Sequence, residues 1–156
     1  MPCGRNLSLD LRLPFRAANG GLFVSRGQGR HGDRVIDSHE LIFVRQGRLG
    51  MQEEGRPFTV EAGQSLHLWP GRRHGGTLPY PPDLSFYWLH FQDSAADKRQ
   101  TAKRKRSGLS IPQHVAVSRP ERLEELFRHF LNDQETGRLL PPAADLLLLL
   151  MLCSVA

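Results

Sequence analysis

The chain of 156 residues has two cysteines, Cys3 and Cys153, at opposite ends. Neither has a partner at the spacing of a metal site, and a disulfide joining the termini is not expected. A chain of this size builds a core without covalent staples. A disulfide-stapled secreted scaffold is therefore excluded, and a reduced, cytoplasmic setting is expected. Long apolar runs are also missing. The run Leu146–Cys153 has eight residues, whereas a membrane span needs ~20. It reads as a buried helix, and no membrane is expected as a partner. The first residues lack the continuous apolar stretch of a secretory signal. No Ser-His-Asp or Cys-His arrangement suggests a nucleophile, and no glycine loop leads into a helix as a phosphate cradle.

Positive charge is present but local. The net charge is +5, yet Lys98, Arg99, Lys103, Arg104, Lys105 and Arg106 fall in one short segment; without their six charges the remainder carries −1. The stretch 93–110 is polar, with no aromatic residue and no apolar period, and reads as a mobile basic loop. Its charge would suffice for contact with DNA phosphates, but reading bases requires an element that enters the groove.

What fills the chain is short strands between turns. Leu7, Leu9, Leu11 and Leu13 alternate with Ser8, Asp10 and Arg12, a half-buried strand that Pro14 ends. A second strand starts at Gly20-Gly21, and the glycine-rich stretch 26–34 is a loop. Further strands are expected near 34–36, 40–46, 48–53, 57–60, 64–69, 84–91 and 114–117. Gly55 supplies the positive φ for a tight hairpin between Glu53 and Arg56. Pro79, Pro81 and Pro82 mark an irregular loop. Past residue 117 the period becomes helical. Ser118-Arg119-Pro120-Glu121 reads as a capping box, and Leu123, Leu126, Phe127, Phe130 and Leu131 follow at helical spacing until about Gly137. Pro141-Pro142 opens a second helix. The fold class is mainly β: a small antiparallel, jelly-roll type barrel over 1–117, then two C-terminal helices over 118–156. The second helix is apolar on nearly all faces, so it needs cover on more than one side.

Three segments occur in order: HELIFVRQG (39–47), AGQSLHLWPGRRH (62–74) and SFYWLHF (85–91). Together with the barrel and the two helices, over roughly residues 5–153, they resemble the N-terminal, cupin-like ligand-binding and dimerisation domain of bacterial AraC-type transcriptional regulators. The resemblance implies a small-molecule effector in the barrel, a sugar or similar polar metabolite. It implies a homodimer through the C-terminal helix, and DNA contact only through a helix-turn-helix domain that is not within these residues. On that helix Leu146, Leu147, Leu149, Leu150 and Leu152 are the expected interface.

Strand parity nominates the effector site. If Glu40 faces inward, so do Ile42, Val44 and Gln46, and in the last long strand Phe86, Trp88 and His90 share a face. With His74, the ligand-binding candidates are Trp88, His90, Phe86, Glu40, Gln46 and His74. In sugar-sensing relatives a tryptophan on this strand stacks on the sugar ring, and the resemblance gives Trp88 that role. The plainer alternative is that Trp88 and Phe86 only fill the barrel. His67 and Trp69 are expected on the outer face, Tyr80 as a lid or a surface residue, and the arm 6–15 as a cover or an edge strand.

The wider cupin superfamily includes metal enzymes, which use a His-x-His pair, a Glu and a later His. Glu40 with Gly47, and Gly71 with His74, match that pattern, but Asp33, Arg34, Val35 and Ile36 stand where the paired histidines would be. His39 is adjacent to Glu40 and so points to the opposite face. Glu40 and His74 leave two inward ligands; His90 could be a third, though no motif predicts it. No metal, cofactor or catalytic residue is expected. The alternatives are a stand-alone metal-dependent cupin enzyme acting on a small metabolite, and a barrel that serves only to dimerise.

Overall fold

The computed structural model describes residues 11, 13–94 and 108–156. The basic run 98–106, Cys3 and most of the arm 6–15 lie outside the described residues. Among the described residues nine strands and two helices follow in order: β1 (Phe15–Val24), β2 (Arg34–Val35), β3 (His39–Gln46), β4 (Arg48–Glu53), β5 (Arg56–Glu61), β6 (Gln64–Leu68), β7 (Arg73–Gly76), β8 (Ser85–Asp93), β9 (His114–Ala116), α1 (Pro120–Glu135) and α2 (Pro141–Ser154). They form a five-stranded sheet, β1-β8-β3-β6-β9, and a four-stranded sheet, β2-β7-β4-β5. Every pairing is antiparallel.

Two layers of core follow from this order. Ile42, Val44, Leu49, Met51, Val60, Leu66 and Phe86 pack between the sheets. Leu41, Phe43, Tyr87 and Leu89, on the other face of the larger sheet, pack against Leu123, Phe127 and Phe130 of α1 and Leu148 and Met151 of α2. Six consecutive residues of β3, His39 to Val44, are consequently buried. A strand covered on both faces loses the alternation of a half-buried one, which explains the unbroken HELIFV.

The hairpin at Glu54-Gly55 has positive φ at both residues, +49° and +79°, the geometry whose twist suits two adjoining strands. Asp145, buried near the start of α2, accepts hydrogen bonds from Arg16 Nη1 (2.5 Å) and the Ala17 amide (2.8 Å), fastening that helix to β1. On α1, Gln134 accepts from the Gly20 amide at 3.0 Å and donates to the Gly20 carbonyl at 2.9 Å.

Several sequence expectations need correction. Leu11 and Leu13 lie outside any strand, and the rest of the arm's expected strand falls outside the described residues; β1 begins at Phe15 and runs through Gly20-Gly21. Pro14 immediately precedes β1, and its carbonyl accepts from the Ser94 amide at 2.7 Å. β7 was not expected, since RHGG carries no alternation. The residue capping α1 is Arg119, with no side-chain cap bond; the Ser118 capping box does not form. Gln46 does not share the face of Glu40. A bulge between Val44 and Gln46 sets Gln46 opposite Ser85, on the side of Tyr87 and Leu89, where it is exposed. An extra residue in one strand reverses the parity beyond it. Leu152 is only 4% exposed, within the core, because the helical period puts it beside Leu148 and Met151.

Candidate functional site

Two cross-strand pairs meet where the sheets open. In the larger sheet Glu40 on β3 is opposite His90 on β8. In the smaller, Arg34 on β2 is opposite His74 on β7. Opposed residues share a face, and both pairs point into the space between the sheets. There Arg34 Nη2 donates to Glu40 Oε2 at 3.1 Å, and Arg34 Nε donates to His74 Nε2 at 3.2 Å. His90 Nε2 lies 3.7 Å from Glu40 Oε1, while its Nδ1 is 2.9 Å from Ser38 Oγ. The carboxylate of Glu40 is therefore central to the group.

A cavity of about 270 Å³ opens over this group. Arg34, Glu40, His31, Gly32 and His90 form its polar side, and Phe23, Tyr80, Phe86 and Trp88 its aromatic side. A more open depression of about 400 Å³ adjoins it, sharing Arg34, Trp88 and His90 and adding Asp37, Ser38, Asn19 and Gln92. Trp88 stands edge-on to His90, ring centres 5.2 Å apart. Tyr80 packs on Phe23 at 4.6 Å and is a wall of the cavity.

Two backbone features place these rings. The bulge between Ala17 and Gly20 in β1 turns Phe15 and Ala17 toward the helices and Gly21 and Phe23 toward the cavity. Gly21 is opposite Trp88, and a Cβ there would come within 2.6 Å of the indole. The tryptophan lies over the bare glycine backbone. Gly76 does the same for the loop before β2: a Cβ would meet the His31 amide at 2.7 Å, and the Gly76 amide donates to the His31 carbonyl at 2.9 Å.

The charges in the pocket are balanced. Burial raises the pKa of Glu40, opposed by the Arg34 guanidinium. Burial lowers His31 to about 4, and burial followed by Arg34 lowers both His74 and His90. At neutral pH the three imidazoles are uncharged, and the one formal cation faces the one formal anion.

Of the expected ligand-site residues, the structure brings Trp88, His90, Phe86 and Glu40 to the cavity. His74 lies fully buried beneath it, in contact with Arg34. Gln46 is elsewhere. Sequence reasoning missed Phe23, His31 and Arg34. Arg34 had a signal, since it stands where the cupin pattern would place a histidine. His31 had none, because a loop's path does not follow from residue parity. His67 and Trp69 do lie on the outer face. There His67 Nε2 is 2.9 Å from His39 Nδ1, His39 stacks on Phe91 at 4.8 Å, and burial lowers His67 to about 4.

Residues 22–152 match the sequence pattern of the AraC-like ligand binding domain family. An uncharacterized HTH-type transcriptional regulator of Bacillus subtilis (strain 168), YisR, is 30% identical, over 78% of this chain and 50% of that protein. The chain thus spans about half the length of this curated relative. Among solved structures, apo ToxT of Vibrio cholerae superposes with a TM-score of 0.52 at 9% identity, over 90% of this chain and 53% of that one. A Cupin 2 conserved barrel domain protein of Salinispora arenicola is 24% identical with a TM-score of 0.43, over 57% and 71%.

Proposed function

Since this chain belongs to the family of AraC-like ligand-binding domains, we propose that it is the effector-sensing and dimerisation domain of a bacterial DNA-binding transcriptional regulator. In this reading the effector is a sugar or a similarly small, uncharged polar metabolite. The observation that carries it is the balanced cavity: aromatic walls face a compact set of hydrogen-bonding groups whose charges cancel. Ligand sites combine apolar walls with a few aimed polar groups, commonly in ~300–1,000 Å³. A volume near 270 Å³ suits a molecule of monosaccharide size. Trp88 offers a ring face or edge to the sugar, and Arg34, Glu40 and His90 offer donors and acceptors to its hydroxyls. In the cavity lining the charges of Arg34 and Glu40 offset each other.

Transmission would work by linkage. An effector that prefers one arrangement of barrel and helices shifts the population of that arrangement, and with it the spacing of DNA-binding domains in a dimer. The two-helix segment 118–156 would hold the dimer, through Leu146 and Leu150 on the open side of α2. DNA would be met through a helix-turn-helix domain outside these residues, as the name of the Bacillus relative suggests, and the whole protein would work in the cytoplasm as a regulator rather than an enzyme.

The test is thermal melting of the purified chain against a panel of sugars, sugar acids and small metabolites. A ligand that binds only the folded state raises the melting temperature by mass action. One sugar class should raise it, and Trp88→Ala should abolish the rise while leaving the ligand-free protein folded. A response confined to charged metabolites, or one that survives Trp88→Ala, would defeat the sugar reading.

A further inference from the structure

We propose that His31, Glu40 and His74 form a binding site for a divalent transition-metal ion, and that the Arg34 guanidinium is the internal cation that holds this site when no metal is bound. The inference shares Glu40 and Arg34 with the sugar reading but does not depend on it, because it is argued from the donor atoms alone.

One donor atom from each of the three residues lies within 4.8 Å of the other two, and all three residues are buried. The hydrogen bonds fix the histidine tautomers. His31 Nδ1 is 3.0 Å from the Gly32 carbonyl oxygen. A carbonyl only accepts, so Nδ1 carries the proton and Nε2 keeps its lone pair. Arg34 Nε is 3.2 Å from His74 Nε2. A guanidinium only donates, so His74 Nε2 is also a free base, and its lone pair faces the group. Backbone anchoring of the opposite ring nitrogen, as in His31, is how metal-ligating histidines are oriented. Two neutral imidazoles and one carboxylate are a donor set for zinc, cobalt, nickel or iron.

Glu40 is 2% exposed, and a carboxylate so placed needs a cation beside it. Arg34 meets that need, but its side chain is 43% exposed and can swing out through the cavity. Glu40 Oε2 and His74 Nε2 are 3.9 Å apart. Ligands ~2.0–2.2 Å from a tetrahedral ion sit roughly 3.4 Å from each other, so the pair would close by about half an ångström. His31 comes from the loop before β2, not from a paired-histidine motif.

The experiment is titration of the chelator-treated chain with Co²⁺, followed by visible d–d absorption and calorimetry. Wild type should bind one Co²⁺ per chain with an absorption band of nitrogen and oxygen ligation. Arg34→Met should bind at least about tenfold more tightly, because the competing cation is gone. His31→Ala should bind at least about tenfold more weakly, the scale on which lost ligand-shell contacts are felt. Trp88→Ala should bind as wild type does. Circular dichroism checks that each variant is folded, and Arg34→Gln repeats the comparison if Arg34→Met is not. Absence of stoichiometric Co²⁺, unchanged affinity in His31→Ala, or weaker binding once Arg34 is replaced would each overturn the proposal. A silent sugar panel would leave the Co²⁺ result standing, so the two readings fail separately.

Discussion

The meeting of Glu40 with His74 of β7 is set by how the two sheets face each other, whereas the place of Glu40 on the inward face of β3 is what strand parity gives. Phe86, Trp88 and His90 were legible for the same reason, since the alternation of β8 is unbroken. Gln46 was not, because one bulged residue undoes all parity beyond it. His31 was not, because it reaches the group along a loop held by the Gly76 amide. Burial of these histidines has a pH consequence. A histidine whose folded pKa is lowered binds fewer protons than in the unfolded chain, so its contribution to stability is intact above the unfolded value of 6.5 and is lost as the pH falls toward the folded value. For His31 and His67 that value is about 4. The chain should therefore lose stability as the pH falls from 6.5 to 4, each such histidine steepening the fall by up to about 1.4 kcal/mol per pH unit. The raised pKa of Glu40 works in the opposite sense, costing stability as its carboxyl ionises. Urea unfolding at several pH values checks this, and His67→Gln should flatten the slope.

Among the elements, β1 carries more of the site than its sequence suggested. Gly20-Gly21 looked like the start of a strand; in the fold it is mid-strand, where one bare backbone receives Gln134 of α1 and the other receives the Trp88 indole. Gly21→Ala should push the indole from its seat, costing about 1–3 kcal/mol as overpacking does. Tryptophan fluorescence should shift with it, and a sugar-induced rise in melting temperature should shrink. Asp145 is the second joint. Replacing it by alanine removes the acceptor for the half-buried Ala17 amide and the partner of Arg16. A loss of about 1–3 kcal/mol follows from the amide left unsatisfied. Chemical denaturation measures it, and an unchanged midpoint would mean that α2 is held by its leucines alone. Helix starts and stops were more legible. Pro120 and Pro141 open α1 and α2, and Gly137, at φ +68°, follows the end of α1 where a left-handed residue is wanted.

For the whole molecule, the open question in the sequence was what covers the second side of α2. Leu148, Met151 and Leu152 face the sheet, whereas Leu146 and Leu150 are each 43% exposed and Cys153 is exposed beside them. Positions 146, 150 and 153 recur at helical spacing and make one stripe. Replacing Leu146 and Leu150 together by glutamate should convert a dimer to a monomer in sedimentation velocity, with the monomer's fold retained by far-ultraviolet circular dichroism. A wild-type chain that sediments as a monomer would end the dimer reading. Among the described residues no helix is long and apolar enough to cross a membrane, so lipid is no alternative cover for α2 as a spanning helix. The sequence by itself determined the strand-rich barrel, the two helices that follow it and the inward faces of β3 and β8, because alternation, turn glycines and helix-opening prolines are local properties. Only the tertiary structure decided which charges meet. Arg34, His31, Glu40 and His74 come from one loop and three strands on two facing sheets, and their contact depends on strand order and on the close approach of Gly76 to His31.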